Sequence, residues 1–408
     1  MLRRVFFPTL FVAALLLAAW IAVGDPWARR VEPQVRTSLT VSQLLGGPAD
    51  SVFDRAVNPR PFNFPLDHGP HPDFRTEWWY LTGNLEGPEG RPFGFQFTLF
   101  RSALRPGDEP SDPRASRSVS SWRARQLYMG HLAITDGSGG SFFAFERFAR
   151  GAGGLAGATA EPFRVWLEDW ELAGASDESG DIFPLRLKGE EEGVGLALSM
   201  VPAKPLVLQG DSGLSQKGPE AGNASFYYSF TRLEAQGRIV LGGDTFQVSG
   251  LAWMDREWST SALSPGQVGW DWFALQLEDG SDLMYYQLRR RDGTSDPLSR
   301  GILVDGEGKG VLLRSTDVQL NVRDEWTSPL DGTVYPSGWQ LSVPGQELIL
   351  VIQPLLQGQE LDLSFRYWEG AVRAIGTRGG KEIQGNGYVE LTGYSDPPSR
   401  MGTDLQRR

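Results

Sequence analysis

The chain has no cysteine and only three histidines among its 408 residues. Without cysteine, disulfides, thiolate catalysis and lipoprotein acylation are all excluded. The sequence also contains no Gly-x-Ser-x-Gly, no Walker motif and no Gly-x-Gly-x-x-Gly. These absences argue against a serine hydrolase with a nucleophile elbow, an NTPase and a dinucleotide-binding enzyme.

Basic residues and helical periodicity are scarce as well. Lys and Arg number 39 against 50 Asp and Glu, which gives a net charge of −11. No cluster of basic residues indicates a nucleic-acid surface, so no nucleic-acid partner is expected. Beyond residue 24 no long helical pattern is visible, whereas glycine (50) and proline (27) are frequent. This composition favours many short strands joined by turns.

The N-terminus carries an export signal. Arg3 and Arg4 precede the apolar run 5–23, and small residues follow at 22–24. We interpret residues 1–24 as a cleaved signal peptide, with an uncleaved inner-membrane anchor formed by 5–23 as the alternative. Under both interpretations the rest of the chain is exported, periplasmic or secreted, and meets the membrane only through this segment.

The remainder predicts an all-β protein with two antiparallel barrels or sandwiches. Residues 25–60 are expected to form a linker with a short helix near 41–45, followed by domains at 61–245 and 246–397 and a tail at 398–408. Strands are predicted at 77–85, 93–99, 127–135, 142–148, 163–172, 183–188, 194–201, 270–277 and 283–288. The two hairpins at 77–99 and 270–288 resemble each other, which indicates a weak internal repeat.

Glu77 is the first candidate acid. It stands directly before the aromatic run Trp78, Trp79 and Tyr80. A carboxyl group among aromatic rings loses water and tends to keep its proton, so it could act as a general acid. The alternative is a structural carboxylate paired with an arginine.

Asp255 and Glu257 form a second candidate pair between two tryptophans. Strand alternation places these carboxyl groups on one face and Arg256 and Trp258 on the other. Two carboxyl groups on one face could share a proton, which would raise the pKa of one of them. The alternative is that Arg256 and a second arginine neutralise them between the domains.

Asp271 is the fourth candidate acid, within the segment Trp270-Asp-Trp-Phe273. It shares a face with apolar residues, whereas Trp270, Trp272 and Gln276 share the other face. If the apolar face is core, Asp271 needs a buried partner. If the tryptophan face lines a cavity, its rings are suited to an unsaturated ligand and to a carbocation.

The predicted site therefore has four acids, Glu77, Asp255, Glu257 and Asp271, and a larger set of ligand-binding side chains. These are Trp78, Trp79, Tyr80, Gln96, His131, Arg256, Trp258, Trp270, Trp272, Gln276 and Tyr286. The pair His68 and His71 lies in a Gly/Pro loop without further metal-binding spacing, so neither a metal nor a cofactor is expected.

Several motifs, in order, resemble the AttH-like family related to carotenoid hydratases. They include His68-Gly-Pro-His71, Glu77-Trp-Trp-Tyr80, Trp253-Met-Asp-Arg-Glu-Trp258, Gly269-Trp-Asp-Trp-Phe273 and Tyr367-Trp-Glu-Gly370. The resemblance runs from about residue 61 to residue 394. It implies two lipocalin-like domains with a hydrophobic cavity, in a family described as secreted hydrolases that accompany ABC-type exporters. Relatives include hydratases that add water to a terminal alkene.

One departure concerns the hydratase acid. The hydratases carry His-x-Trp and Tyr-x-Asp segments, and the matching segments here are Arg256-Glu-Trp258 and Tyr286-Gln-Leu288. The histidine is thus an arginine and the aspartate a leucine, so Glu257 or Asp271 would have to supply the proton. We expect an envelope protein that binds an apolar small molecule or lipid. Catalysis by a desolvated acid, simple carriage and a structural role beside a transporter all stay open.

Overall fold

The computed structural model describes residues 52–107, 125–175, 181–260 and 263–395, and these fold almost entirely into β-strands. Short 3-10 turns at Leu66–His68, Pro88–Gly90 and Pro344–Gln346 interrupt them. No helix within these ranges is long and apolar enough to cross a membrane. The N-terminal segment, the helix expected at 41–45 and the tail at 398–408 lie outside the described residues.

Two antiparallel sheets account for the strands. The first contains β1 (Thr76–Glu86), β2 (Pro92–Ala103), β3 (Gln126–Asp136), β4 (Ser141–Arg150), β5 (Ala156–Ala160), β6 (Phe163–Leu167), β7 (Trp170–Ala173), β8 (Leu185–Glu191), β9 (Val194–Pro202), β10 (Val207–Leu208), β11 (Leu214–Gln216), β12 (Ala224–Leu241) and β13 (Asp244–Ser259). The second contains β14 (Gln267–Leu277), β15 (Asp282–Arg290), β16 (Arg300–Val304), β17 (Gly310–Arg314), β18 (Gln319–Thr327), β19 (Val334–Val343), β20 (Leu348–Pro354), β21 (Glu360–Leu361), β22 (Tyr367–Arg378) and β23 (Lys381–Leu391).

Both sheets have the same connectivity, in which the last strand of the sheet pairs with the first. The first sheet has the order β4-β3-β2-β1-β13-β12-β9-β8-β7-β6-β5, and the second has β17-β16-β15-β14-β23-β22-β20-β19-β18. The first curls into a nearly closed barrel and the second into a half-barrel. The all-β prediction is confirmed. The two hairpins that look alike in sequence, β1–β2 and β14–β15, hold equivalent places in their sheets.

The chain passes from the first sheet to the second between Ser259 and Gln267, later than the domain boundary predicted from sequence. The expected domain boundary at 245/246 falls inside β13, which pairs with β1 and β12 of the first sheet. The predicted strand at 163–172 is in fact two strands, because the chain turns back between Leu167 and Trp170, which are paired. Glu168 adopts the left-handed conformation that this tight turn requires.

Strand alternation gives each sheet one face for its own core and one for the other sheet. The expected row of Phe93, Phe95, Phe97 and Leu99 lies in the core of the barrel. Phe273 and its alternating neighbours lie in the core of the half-barrel. The opposite faces of β1, β2, β12 and β13 pack against β14, β15, β22 and β23. This seam between the sheets holds the candidate site.

Close packing and buried hydrogen bonds join the sheets along this seam. Gly94 on β2 approaches β22 so closely that a methyl group there would lie 2.5 Å from the Ala371 Cβ. Asn84 donates from Nδ2 to the Gly387 carbonyl at 3.0 Å. Gln276 donates from Nε2 to the Thr231 carbonyl at 2.7 Å and to the Ala252 carbonyl at 3.0 Å. The contacts hold the two walls in a fixed relation.

Candidate active site

An apolar cavity lies between the sheets. It contains about 1110 Å³ of free space, part of it open to solvent. Its lining comprises Trp78, Tyr80, Thr98, Phe100, Lys217, Ser225, Tyr227, Asp255, Glu257, Ser259, Leu263, Trp270, Trp272, Tyr286, Leu288, Phe365, Tyr367, Glu369 and Glu390. Seven of the residues predicted from the sequence are in this set.

Strand register explains why these side chains meet. On the half-barrel, Tyr286, Trp272, Glu390 and Glu369 stand directly opposite one another across four neighbouring strands. On the barrel, two such rows face them. One row runs Thr98, Tyr80, Asp255 and Ser229, and the other runs Phe100, Trp78, Glu257 and Tyr227. Directly opposed side chains on one face of a sheet are in contact range, so each wall presents carboxyl groups beside aromatic rings.

Glu369 and Glu390 form the most unusual pair in the cavity. Glu369 is fully buried and Glu390 is half-buried on the adjacent strand, and neither forms an ion pair with a described side chain. Glu369 accepts a hydrogen bond from the Tyr80 hydroxyl at Oε1, whereas its Oε2 atom is buried without a partner among the described residues. Trp270 donates from Nε1 to Glu390 Oε1 at 2.8 Å. Burial and the nearby carboxyl group of Glu390 raise the pKa of Glu369 well above its usual range.

Asp255 occupies the opposite wall and is held by three donors. Its carboxyl group accepts hydrogen bonds from Ser229 Oγ at 2.5 Å, Trp253 Nε1 at 2.7 Å and the Tyr227 hydroxyl. Burial raises the pKa of Asp255 to about 7, although these hydrogen bonds act in the other direction. The group is therefore fixed in orientation and poised to gain or lose a proton near neutral pH.

Glu257 differs from the other cavity acids because it has a cation. Lys217 Nζ lies 3.2 Å from Glu257 Oε1, and the Ser225 hydroxyl donates to the same oxygen. Burial alone would lower the pKa of Lys217, but the Glu257 carboxylate outweighs it and raises that pKa. The same ammonium lies 4.1 Å from the centroid of the Tyr286 ring. Among the described residues, Lys217 is the one cationic side chain in the cavity lining.

Tryptophan rings form much of the apolar wall. Trp272 packs edge-on against Tyr80 with ring centroids 5.2 Å apart, and Trp78 and Trp270 are only half-buried. Trp272 also donates from Nε1 to the Tyr227 hydroxyl at 3.3 Å, which links the two walls. Trp270 and Trp272 lie on the face of their strand opposite to Phe273, as strand alternation predicts.

Glu77 lies on the other face of β1, inside the barrel, and not in this cavity. Arg101 and Arg256 both form salt bridges with its carboxylate, and His71 Nδ1 lies 3.2 Å from Oε2. Burial would raise the pKa of Glu77, but the two guanidinium groups outweigh it and hold that pKa well below its usual range. Of the two interpretations from sequence, the geometry matches the paired structural carboxylate.

Asp271 also lies outside the cavity, on the core face of the half-barrel. Arg289 Nε is 2.8 Å from its Oδ1 atom, and the Tyr394 hydroxyl donates at 3.0 Å. Burial raises the pKa of Asp271 even though Arg289 opposes that effect. The buried partner that its apolar face required is thus Arg289, and we leave Asp271 out of the proposed site.

Six predicted ligand-binding residues also lie beyond the cavity lining. Trp79, Arg256 and Trp258 face the barrel interior, where the Arg256 guanidinium lies 4.0 Å from the Trp79 ring centroid. Gln276 links the two sheets through its hydrogen bonds to the Thr231 and Ala252 carbonyls. Gln96 donates from Nε2 to Thr98 Oγ1 at 2.5 Å, and His131 Nδ1 is 2.8 Å from the hydroxyl of Tyr367. Gln96 and His131 thus lie outside the cavity and contact residues that line it, Thr98 and Tyr367.

Sequence reasoning missed Lys217, Tyr227, Glu369 and Glu390. A signal for Glu390 was present, because Val389 and Leu391 alternate with it and belong to the half-barrel core. The same holds for Glu369, since its neighbour Trp368 is a core residue. No local pattern shows that these two acids lie side by side, because that depends on the return of the last strand. Within the described ranges, no three His, Asp or Glu side chains are arranged to hold a metal ion.

Comparison with known proteins places the chain in a family. A family model described as AttH-like matches residues 55–394. The chain belongs to the AttH-like family. The crystal structure of an AttH protein from Nitrosomonas europaea is 37% identical, with a TM-score of 0.72, and the match covers 84% of this chain and 100% of that one. The resemblance noted in the motifs is confirmed.

A more distant structure shares the AttH-like fold. Kievitone hydratase from Nectria haematococca is 15% identical with a TM-score of 0.61, and the match covers 84% of this chain and 98% of that one. At this level of identity the likeness shows the fold alone. A search of curated proteins found no match.

Proposed function

We propose that the cavity binds an unsaturated apolar small molecule and that a buried carboxylic acid protonates it, as in hydratase-type chemistry. The observation that carries the proposal is the adjacent pair of Glu369 and Glu390 in an aromatic cavity whose described lining contains no arginine. Two carboxyl groups so close in a desolvated site do not both ionise, so at least one keeps a proton at neutral pH. The distant likeness to a hydratase agrees with this chemistry but does not carry it.

The proton donor is assigned to Glu369. One of its oxygens is occupied by Tyr80, and the other has no acceptor among the described side chains. A carboxylic acid in this state has its proton available for a ligand. Transfer of that proton to one carbon of an alkene leaves a carbocation at the other carbon and a carboxylate at Glu369.

Aromatic faces and Asp255 would complete the addition of water. The rings of Trp78, Trp270 and Trp272 offer negative π faces to the cation. Asp255, held by three donors and with its pKa near 7, takes a proton from the attacking water as the new C–O bond forms. Tyr80 stands opposite Asp255 and donates to Glu369, so it lies between acid and base. Return of the proton from Asp255 to Glu369 restores the starting state.

Binding and chemistry are tested separately. Diphenylhexatriene, a neutral fluorescent polyene, should become fluorescent with the wild-type protein and equally with Glu369→Gln. A lipid extract of the producing cells, incubated in water enriched in heavy oxygen, should give a labelled alcohol with wild type only. Binding without labelling would support a carrier, the alternative that the sequence left open. Absence of polyene binding would contradict both functions.

We further propose, from the apolar run at 5–23, that the protein acts outside the cytoplasm. The resemblance to the AttH-like family suggests an ABC-type exporter as its partner. N-terminal sequencing of the periplasmic protein should give a mature chain beginning at residue 25. Retention of the segment in the membrane fraction would favour an anchor, and a full-length chain in the cytosol would contradict export. Co-purification of an ABC-type permease with the tagged protein tests the partner.

A further inference from the structure

The cavity has an excess of acidic groups over cations. Within the described part of the chain, four acids face it, together with a single ammonium, that of Lys217. The acids are Asp255, Glu257, Glu369 and Glu390. Lys217 is paired with Glu257, and the other three acids form no ion pair with any described side chain. A buried excess of carboxyl groups disfavours anionic ligands and favours a ligand that brings positive charge.

The aromatic side chains of the cavity walls also favour a positively charged ligand. Trp78, Trp270 and Trp272 contribute indole rings, and four tyrosines line the remaining surface. Rings of this kind attract ammonium groups through their π faces. The ammonium of Lys217, 4.1 Å from the Tyr286 ring centroid, already makes such a contact in this environment.

An independent observation is the buried Glu369 Oε2 atom, which has no hydrogen-bond partner in the described part of the chain. A buried polar atom without a partner costs free energy, which a ligand can recover by supplying a donor. Once Glu369 has released its proton, an ammonium N–H supplies both a donor to Oε2 and a charge opposite to that of the carboxylate. A hydrocarbon ligand supplies neither.

We propose that this cavity binds lipophilic ammonium ions in preference to uncharged or anionic molecules of the same shape. The inference rests on the proposed function, because an ammonium ion in the cavity has the charge and shape of the carbocation formed by alkene protonation. Sites complementary to a charged transition state bind stable analogues of it tightly. The ligand class is thus an alkyl or aralkyl amine, and amines of this class should inhibit turnover.

Binding should strengthen as pH rises from 5.5 to 8.5, since the cation prefers ionised acids. The charged and titratable groups that face the ligand are Asp255, Glu257, Glu369, Glu390, Lys217, Tyr80, Tyr227, Tyr286 and Tyr367, with His131 behind Tyr367. Burial raises the pKa values of Asp255, Glu369 and Glu390. Ammonium binding should therefore release protons, which calorimetry in buffers of different ionisation enthalpy detects.

The test compares three probes of matched shape: phenylbutylamine, phenylbutanol and phenylbutyrate. The expected result with wild type is a Kd for the amine about tenfold below that for the alcohol, with no detectable binding of the carboxylate. Glu369→Gln should remove the preference, so that the amine and the alcohol bind with similar Kd values. Glu390→Gln provides a second variant with the same expectation. Glu382→Gln, at an exposed position of the same strand as Glu390, is the matched control and should behave as wild type.

Equal binding of amine and alcohol by wild type would overturn the inference and leave the proposed function intact. Preference for the amine that survives in both cavity variants would also overturn it, because the attraction would then come from elsewhere. Failure of both probes to bind overturns the inference, and the diphenylhexatriene assay decides the proposed function separately.

Discussion

Glu77 and Glu369 are both fully buried beside tryptophan or tyrosine, yet their pKa values are shifted in opposite directions. Glu77, inside the barrel, is held between Arg101 and Arg256, and its pKa is far below the usual range. Glu369, in the cavity between the sheets, has a carboxyl neighbour and no ion pair with any side chain that the structure describes, and its pKa is far above that range. Both side chains are fully buried, so for these two acids the neighbouring charge decides the direction of the pKa shift.

The same substitution at both positions should have the largest effect on this comparison. Glu77→Gln leaves two buried guanidinium groups without a counter-charge and should reduce the free energy of unfolding by about 3–5 kcal/mol. Glu369→Gln replaces a neutral acid by a neutral amide and should change it by less than about 1 kcal/mol at pH 7. Urea unfolding measures both. Equal losses would mean that Glu369 is also ionised and paired.

The faces of the strands could be predicted from sequence, but the partners of the acids could not. Alternation alone separates Asp255 and Glu257 from Arg256, and separates Asp271 from the tryptophans on either side of it. The salt bridge between Glu77 and Arg256 depends on pairing across 179 positions of the chain. The Glu369–Glu390 pair likewise depends on the register of β22 with β23. Register is a property of the assembled sheet, which a local pattern does not encode.

The pH dependence of stability should show the second-largest effect. Unfolded Asp255 ionises near pH 3.9, whereas the folded protein keeps it protonated to about pH 7. The folded state binds the additional proton in this interval, so Asp255 contributes stability below pH 4 that is lost as pH rises to 7. For Glu77, whose pKa is lowered, stability is instead lost as pH falls.

Asp255→Asn should therefore flatten the decline between pH 4 and pH 7 by an amount on the order of a few kcal/mol. Unfolding free energies measured at several pH values in wild type and variant supply the test. An unchanged slope in the variant would show that Asp255 is ionised throughout.

Asp271→Asn examines an acid that lies outside the cavity. It weakens the contacts with Arg289 and Tyr394, so the free energy of unfolding should fall by about 1–3 kcal/mol. Binding of diphenylhexatriene should stay as in wild type, because the side chain faces the half-barrel core. Loss of ligand binding at full stability would place Asp271 in the functional site after all.

The smallest effect is expected for a partly exposed ion pair. Arg378 Nη1 lies 2.8 Å from Asp279 Oδ2 near the protein surface. Arg378→Met should change the free energy of unfolding by less than about 1 kcal/mol. A cost as large as that of Glu77→Gln would imply that burial does not distinguish these carboxylates.

Infrared difference spectroscopy tests the central claim most directly, because the C=O stretch of a protonated carboxyl group is distinct from that of a carboxylate. At pH 7 the wild-type protein should show a protonated-carboxyl band that diminishes in Glu369→Gln and persists in Glu382→Gln. A spectrum without such a band at pH 7, or one that Glu369→Gln leaves unaltered, would contradict the account of a cavity that stores its proton on Glu369.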